Sequence, residues 1–79
     1  MSYKVYLCTY KDNEKTTVEA QLFDEEFSDF TKAFVFASKF MVRHDFEHLE
    51  ICRADNDNKM VYYIDNKGKI EDYITNQQI

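Results

Sequence analysis

The chain has one glycine, two cysteines and no long apolar run, and each scarcity closes off a class of protein. A phosphate-cradling loop needs glycines in close order, because only they let backbone N–H groups crowd around an anion. Gly68 alone cannot form one. Cys8 and Cys52 make no C-x-x-C pair and are too few for a disulfide scaffold, which favours a reduced, cytosolic (cytoplasmic) protein. No stretch approaches the ~20 apolar residues that a spanning helix requires, and "MSYKVYLCTY" lacks the basic-then-apolar layout of a signal peptide. No membrane partner is expected. Basic residues are also few, ten against fifteen acidic, for a net charge of −5. Binding to a phosphate backbone relies on clustered Lys and Arg, so no direct nucleic-acid contact is expected. The basic, glycine-containing signature of RNA-binding sheets is missing too.

What is present is a core. Apolar residues make up 44% of the 79, with seven Phe and six Tyr. A chain this short buries only about 60–65% of its unfolded surface, so it needs most of those residues for stability. One domain over residues 1–79 is expected, without linker, repeat or low-complexity tract. Phe, Tyr, Met, Ile, Asn and Lys far outnumber Gly, Ala, Arg and Pro, the mark of an AT-rich gene. A low-GC bacterium, its phages or its mobile elements are the expected source.

Periodicity predicts the elements. "YKVYLCTY" (3–10) is strand-like, with Val5 and Leu7 on the core face and Tyr6, Cys8 and Tyr10 opposite. After a polar turn, "TTVEAQLF" (16–23) alternates: Thr16, Val18, Ala20 and Leu22 point one way, Thr17, Glu19, Gln21 and Phe23 the other. From Asp24 to about His44 the period becomes helical, with Phe27, Phe30, Phe34, Ala37 and Met41 as the buried stripe. Asp24 or Ser28 would cap the start, where Asp24, Glu25, Glu26 and Asp29 suit the dipole; Arg43 and His44 suit its end. "FEHLEICRA" (46–54) sets Leu49 and Ile51 against His48, Glu50 and Cys52. "MVYYID" (60–65) is a further strand, Gly68 supplies a left-handed turn residue, "IEDYI" (70–74) is a fifth strand or short helix, and "TNQQI" frays. The order β-β-α-β-β-(β) implies an α+β fold: an antiparallel four- or five-stranded sheet with one helix packed on one face.

Two motifs invite chemistry. His44-Asp45-Phe46-Glu47-His48 is a formal match to H-x-x-E-H, in which zinc peptidases hold two histidines and a catalytic glutamate on one helix. Here it straddles the change from helical to strand period, so it reads as an accident, with His44 capping the helix and His48 on the sheet. A non-catalytic metal group of His48, Cys52 and Cys8 is the lesser alternative, since His48 and Cys52 share a strand face. "DNDNKMVYYIDN" starts like a calcium loop but has Lys59 at the fifth position and Asn66 where a glutamate belongs. Its Asp and Asn residues read as turn formers. No cofactor and no enzymatic activity are expected; the alternative is a small metal- or thiol-dependent enzyme using His44, His48 and Cys52.

The remaining signals are surfaces. A single helix leaves the other sheet face open, and Tyr6, Tyr10 and Tyr63 are expected there. Phe36 falls off the helix stripe, among Lys32, Lys39 and Arg43, with Phe40 at its margin. Glu25 and Glu26, with Asp24, Asp29, Glu19 and Glu50, offer carboxylates to a basic partner. The expected function is non-enzymatic protein–protein interaction, in its most specific form as a small acidic inhibitor or regulator. Its partner would be a protein such as a basic nucleic-acid-binding one, or the chain itself as a structural homodimer.

Overall fold

The computed structural model describes residues 1–76; the last three residues of the expected frayed end lie outside them. Five strands and two helices follow in the order β1 (Tyr3–Tyr10), β2 (Val18–Leu22), α1 (Phe30–Met41), β3 (Phe46–Arg53), β4 (Lys59–Asp65), β5 (Ile70–Asp72) and α2 (Tyr73–Asn76). The strands form one antiparallel sheet in the order β2-β1-β3-β4-β5. α1 packs on β1 and β3 and covers one face. The expected α+β architecture is therefore the observed one, and "IEDYI" divides into β5 and the single turn of α2, which carries Tyr73.

The core explains the pairing. Val5, Leu49, Ile51 and Val61 are fully buried beneath α1 together with Ala33 and Ala37. Two bulges adjust it. Cys8 pairs with His48 but Thr9 with Phe46, so Glu47 is an extra residue in β3. Ile51 pairs with Tyr62 but Cys52 with Met60, so Val61 is extra in β4. An extra residue resets the alternation beyond it, which is how Phe46 reaches the core although Leu49 and Ile51 already set the other parity. Where the β4–β5 turn needs a left-handed residue, Gly68 supplies it at φ +86°.

α1 differs from the expectation in extent and phase. It spans 12 residues, and Asp29 is its N-cap, accepting a hydrogen bond from the Lys32 amide at 2.8 Å. Neither Asp24 nor Ser28 caps it. The preceding segment is held extended along β1: Phe23 donates to the Val5 carbonyl, and Tyr3 and Phe27 exchange backbone hydrogen bonds at 2.9 Å. That pairing is incompatible with helix, so Asp24, Glu25 and Glu26 precede the first turn rather than complementing it. At the other end the Arg43 amide donates to the Phe40 carbonyl at 3.2 Å, while its guanidinium forks onto the Asp45 carboxylate at 2.9 and 2.7 Å.

The buried arc of α1 is centred on Ala33 and Ala37, whose small side chains let the helix lie close to the sheet. Phe30 and Phe34 flank them on one side, against Tyr62 at 5.6 and 5.5 Å. On the other side Phe36 and Phe40 meet Phe23, each at 5.2 Å, and Phe36 also meets Phe27 at 5.2 Å. Phe36 is thus half-buried in a second aromatic cluster, contrary to the expectation that it stands off the core. The cause is the extended 23–27 segment, which carries two rings under a flank of the helix that the sheet alone would leave open. Lys39 then covers the outer side of the Phe36 ring, with Nζ 4.6 Å from its centroid.

Candidate functional site: the open face of the sheet

Antiparallel pairing brings side chains of directly opposed residues together on one face, ~4.5–5.5 Å apart at Cβ. Across the face away from α1, Leu22 opposes Tyr6, Ala20 opposes Cys8 and Val18 opposes Tyr10. On the other side of β1, Tyr6 opposes Glu50 and Cys8 opposes His48. Glu50 in turn opposes Tyr63, His48 opposes Asp65, and Tyr63 opposes Glu71. Register alone therefore builds a band of Val18, Leu22, Tyr6, His48 and Tyr63, with Glu50 inside it between the two tyrosines and Asp65 and Glu71 at its far side.

His48 is the hub of that band. Its ring stacks on Tyr63 at 5.2 Å with 29° between planes, and the Tyr6 ring stands 6.4 Å away. Nδ1 contacts the Glu47 carboxylate, and Nε2 lies 3.5 Å from Glu50 Oε2. Glu47 reaches this face because a bulge lets two consecutive residues share the side that one would occupy in a regular strand. Tyr63 donates to Asp65 at 3.0 Å, and its hydroxyl is pushed up to about 12, by burial first and then by Asp65, Glu47 and Glu71. The Tyr6 hydroxyl is raised chiefly by Cys8, with burial and Glu50 adding.

Of the expected docking residues, Tyr6 and Tyr63 come together here. Tyr10 shares their parity but sits at the end of the sheet, where its hydroxyl accepts a hydrogen bond from Asn66 Nδ2 at 2.9 Å. Phe36 and Phe40 are taken up by packing on the opposite side of the molecule. Glu25 and Glu26 are exposed in the connection before α1, and Glu19 opposes Thr9 on the helix side of the sheet. Val18 and Leu22, 52% and 43% exposed, belong to the band without having been expected in it. Their alternation with Glu19 and Gln21 is visible in the sequence, but not the face they occupy.

The histidines and cysteines separate into two groups. His44 lies in the turn after α1 and borders crevices of about 250 and 500 Å³ that neither cysteine lines. Cys52 shares the face of His48 but stands four residues along the same strand, roughly 13 Å away at ~3.3 Å per residue. That is too far for a shared ion, so the set His48, Cys52 and Cys8 does not converge, nor does His44, His48 and Cys52. Among the described residues one group does: Cys8 Sγ, a Glu47 oxygen and a His48 ring nitrogen, all within 4.8 Å of one another. The Cys8 thiol is raised by burial first and also by Glu47 and Glu50, with a hydrogen bond to Tyr6 working the other way. Burial, with Glu50, pushes the Cys52 thiol up to about 11. A nucleophilic thiol needs the opposite surroundings.

No protein family, curated protein or solved structure matches this chain. No helix among the described residues is long and apolar enough to cross a membrane.

Proposed function

We propose that the chain is a non-enzymatic protein-association module that docks through the open face of its sheet. The observation that carries this is the composition of that face: Tyr6 and Tyr63 flank Glu50, Val18 and Leu22 lie exposed on the neighbouring edge strand, and Glu47, Asp65 and Glu71 stand beside them. The rings and aliphatic side chains supply affinity, and the carboxylates among and beside them supply steering and specificity. The partner is accordingly a protein with a basic surface, of the kind nucleic-acid-binding proteins carry. Within this reading the chain works in the cytosol as a small inhibitor or regulator from a phage or mobile element. Both thiols are buried and raised rather than lowered, the opposite of an activated nucleophile, which favours binding over catalysis. The test is affinity capture from the source cell in the presence of chelator, using wild type, Tyr6→Ser/Tyr63→Ser and Val35→Ser/Val42→Ser. Tyrosine anchors at an interface centre are worth about 2 kcal/mol or more each, so the first pair is expected to lose the partner and the second to keep it. A folded Tyr6→Ser/Tyr63→Ser variant that retains every partner overturns the reading.

Homodimerisation is a second reading, favoured by the β2 edge. Phe23 donates to the Val5 carbonyl and Lys11 to that of Thr17, so alternation turns Gln21 and Glu19 inward and leaves the N–H and C=O of Val18, Ala20 and Leu22 facing out. The edge is exposed throughout, in regular register, and without the Lys, Pro or bulge that usually blunt one. A two-fold axis through Ala20 would set Val18 opposite Leu22 and Glu19 opposite Gln21, with no like charges facing. Ala20→Pro removes an outward N–H and spares the β1 ladder, so it separates the two readings. A dimer by sedimentation that Ala20→Pro converts to monomer supports the edge; a wild type monomeric at high concentration eliminates it.

A further inference from the structure

We propose that Cys8, Glu47 and His48 form a single-ion site for zinc or a like borderline divalent cation, built by the β3 bulge on the open face of the sheet. The inference goes beyond association and stands on separate geometry. A bulge at Glu47 makes consecutive residues share one side, and the antiparallel register sets Cys8 directly opposite His48. Sulfur, nitrogen and carboxylate oxygen thereby approach within 4.8 Å of one another. Ligand atoms around one tetrahedral zinc stand about 3.3–3.6 Å apart, given bonds of ~2.0–2.3 Å. Small side-chain rotations close the difference, and the contact between His48 Nδ1 and Glu47 opens slightly to admit the ion.

The donor set chooses the metal. Calcium and magnesium take oxygen ligands, whereas a thiolate, an imidazole and one carboxylate suit zinc, cobalt or nickel. Three protein ligands leave the fourth position to water. The surroundings are also those a cation would correct. Cys8 is 5% exposed and stands in the field of Glu47 and Glu50, which disfavours its thiolate. A divalent ion reverses that field, deprotonates the thiol and neutralises the carboxylates, so affinity is expected to rise with pH. The support around the ligands is in place: Tyr63 stacks on the imidazole, and Glu50 faces its second nitrogen. Such partners orient a metal-binding histidine and strengthen it as a donor. The H-x-x-E-H match thus has a different meaning from the one its spacing suggests. Its Glu-His half is seated beside a cysteine from another strand, and His44 takes no part.

Cobalt(II) titration of the reduced protein reads the site directly. One equivalent is expected, with a near-ultraviolet thiolate-to-cobalt band that zinc abolishes by displacement. The band should vanish in Cys8→Ser, and affinity should fall roughly tenfold or more in Glu47→Gln and His48→Gln. His44→Ala and Cys52→Ser should leave both unchanged. Because Cys8 is buried and its replacement can unfold the chain, the two partly exposed positions carry the test independently. Zinc should also raise the Tm of wild type by several degrees and that of Glu47→Gln and His48→Gln by less. Absence of the band with wild type at tenfold excess overturns the proposal, as does a band that survives Cys8→Ser or is lost in His44→Ala or Cys52→Ser.

Discussion

Truncating Phe36 to alanine is expected to cost about 2–3 kcal/mol, although helical phase measured from the Phe30–Phe34 side places this residue on the solvated flank. Complete burial would set the loss at about 3–5 kcal/mol for a phenylalanine. Phe36 is only half-buried and partly screened by Lys39, which lowers the transfer contribution. Against that, it contacts three rings, Phe23 and Phe27 at 5.2 Å and Phe40 at 5.4 Å. Each such pair adds roughly 0.5–1.5 kcal/mol beyond area burial, and the cavity would open between segments that cannot easily collapse. A domain of this size has a total stability of about 4–12 kcal/mol, so the variant should fold but melt about 10–20 °C lower. Urea unfolding followed by circular dichroism measures the change, with Val35→Ala, at a position 64% exposed, as the control. The control should stay within about 0.5 kcal/mol. Phe34→Ala should lose a similar amount, about 2–3 kcal/mol, because its ring is also half-buried and packs edge-on against the buried Tyr62. If Phe36→Ala behaves like Val35→Ala while Phe34→Ala takes its full loss, α1 is rotated and the second aromatic cluster does not exist.

Stability should form a plateau between about pH 5 and 8 and fall on both sides. Asp65 is held low despite some desolvation, by the amides of Lys67 and Lys69 and by Tyr63, and Glu71 chiefly by Tyr73; their contributions are present above the ordinary carboxylate range and lost as pH falls through the lowered values. Tyr63 and Cys52, raised to about 12 and about 11, act in the opposite sense: stability is complete below their ordinary values and declines as pH rises towards these. A flat profile to pH 10.5 would mean that both groups are hydrated. In native protein at pH 8, alkylation of Cys52 should run roughly a hundredfold slower than for a thiol at its ordinary value, a ratio that mass spectrometry of peptides reads; equal rates would place it at the surface. Charge reversal at Glu25 and Glu26 should change partner affinity by less than about threefold at physiological salt, because these residues lie outside the aromatic band. A steep loss in surface plasmon resonance would move the interface to the segment before α1.

How much was legible follows from which forces are local. The strand at 3–10 shows its core face in Val5 and Leu7 because every second residue is apolar, and the 46–54 strand does the same through Leu49 and Ile51. The helix was legible as a helix, yet its start was not. Phe27 fits the helical stripe by spacing, and only the backbone exchange with Tyr3 withdraws it. Such a long-range bond leaves no periodic trace. The site was half legible. Tyr6 and Tyr63 follow from strand parity, whereas Glu47 is placed by a bulge, and one extra residue in a strand looks the same in sequence as none. For the same reason the His48–Cys52 spacing was misleading: parity says which face two residues share, not how far apart they stand.

β2 violates the usual economy of a small domain, and the violation bears on function. A chain of this length needs its apolar residues inside, yet Val18, Ala20 and Leu22 face away from α1 while Glu19 and Gln21 face towards it. A one-residue slip would have put those three apolar side chains on the helix side, but it would also have turned Phe23 away from Phe36 and Phe40. The space there is an open crevice of about 190 Å³ lined by Glu19, Gln21, Phe23, Phe40 and Arg43, so the polar residues are hydrated rather than trapped. The parity is selected by the packing of Phe23, but it does not require the exposed Val18 and Leu22 to be apolar. What it does provide is continuity: Val18 and Leu22 extend the row of Tyr6, His48 and Tyr63 to the very edge whose outward amides are free to pair. An apolar band running into an unguarded strand edge presents a side-chain surface and a backbone ladder to the same incoming protein, and strand addition uses both together.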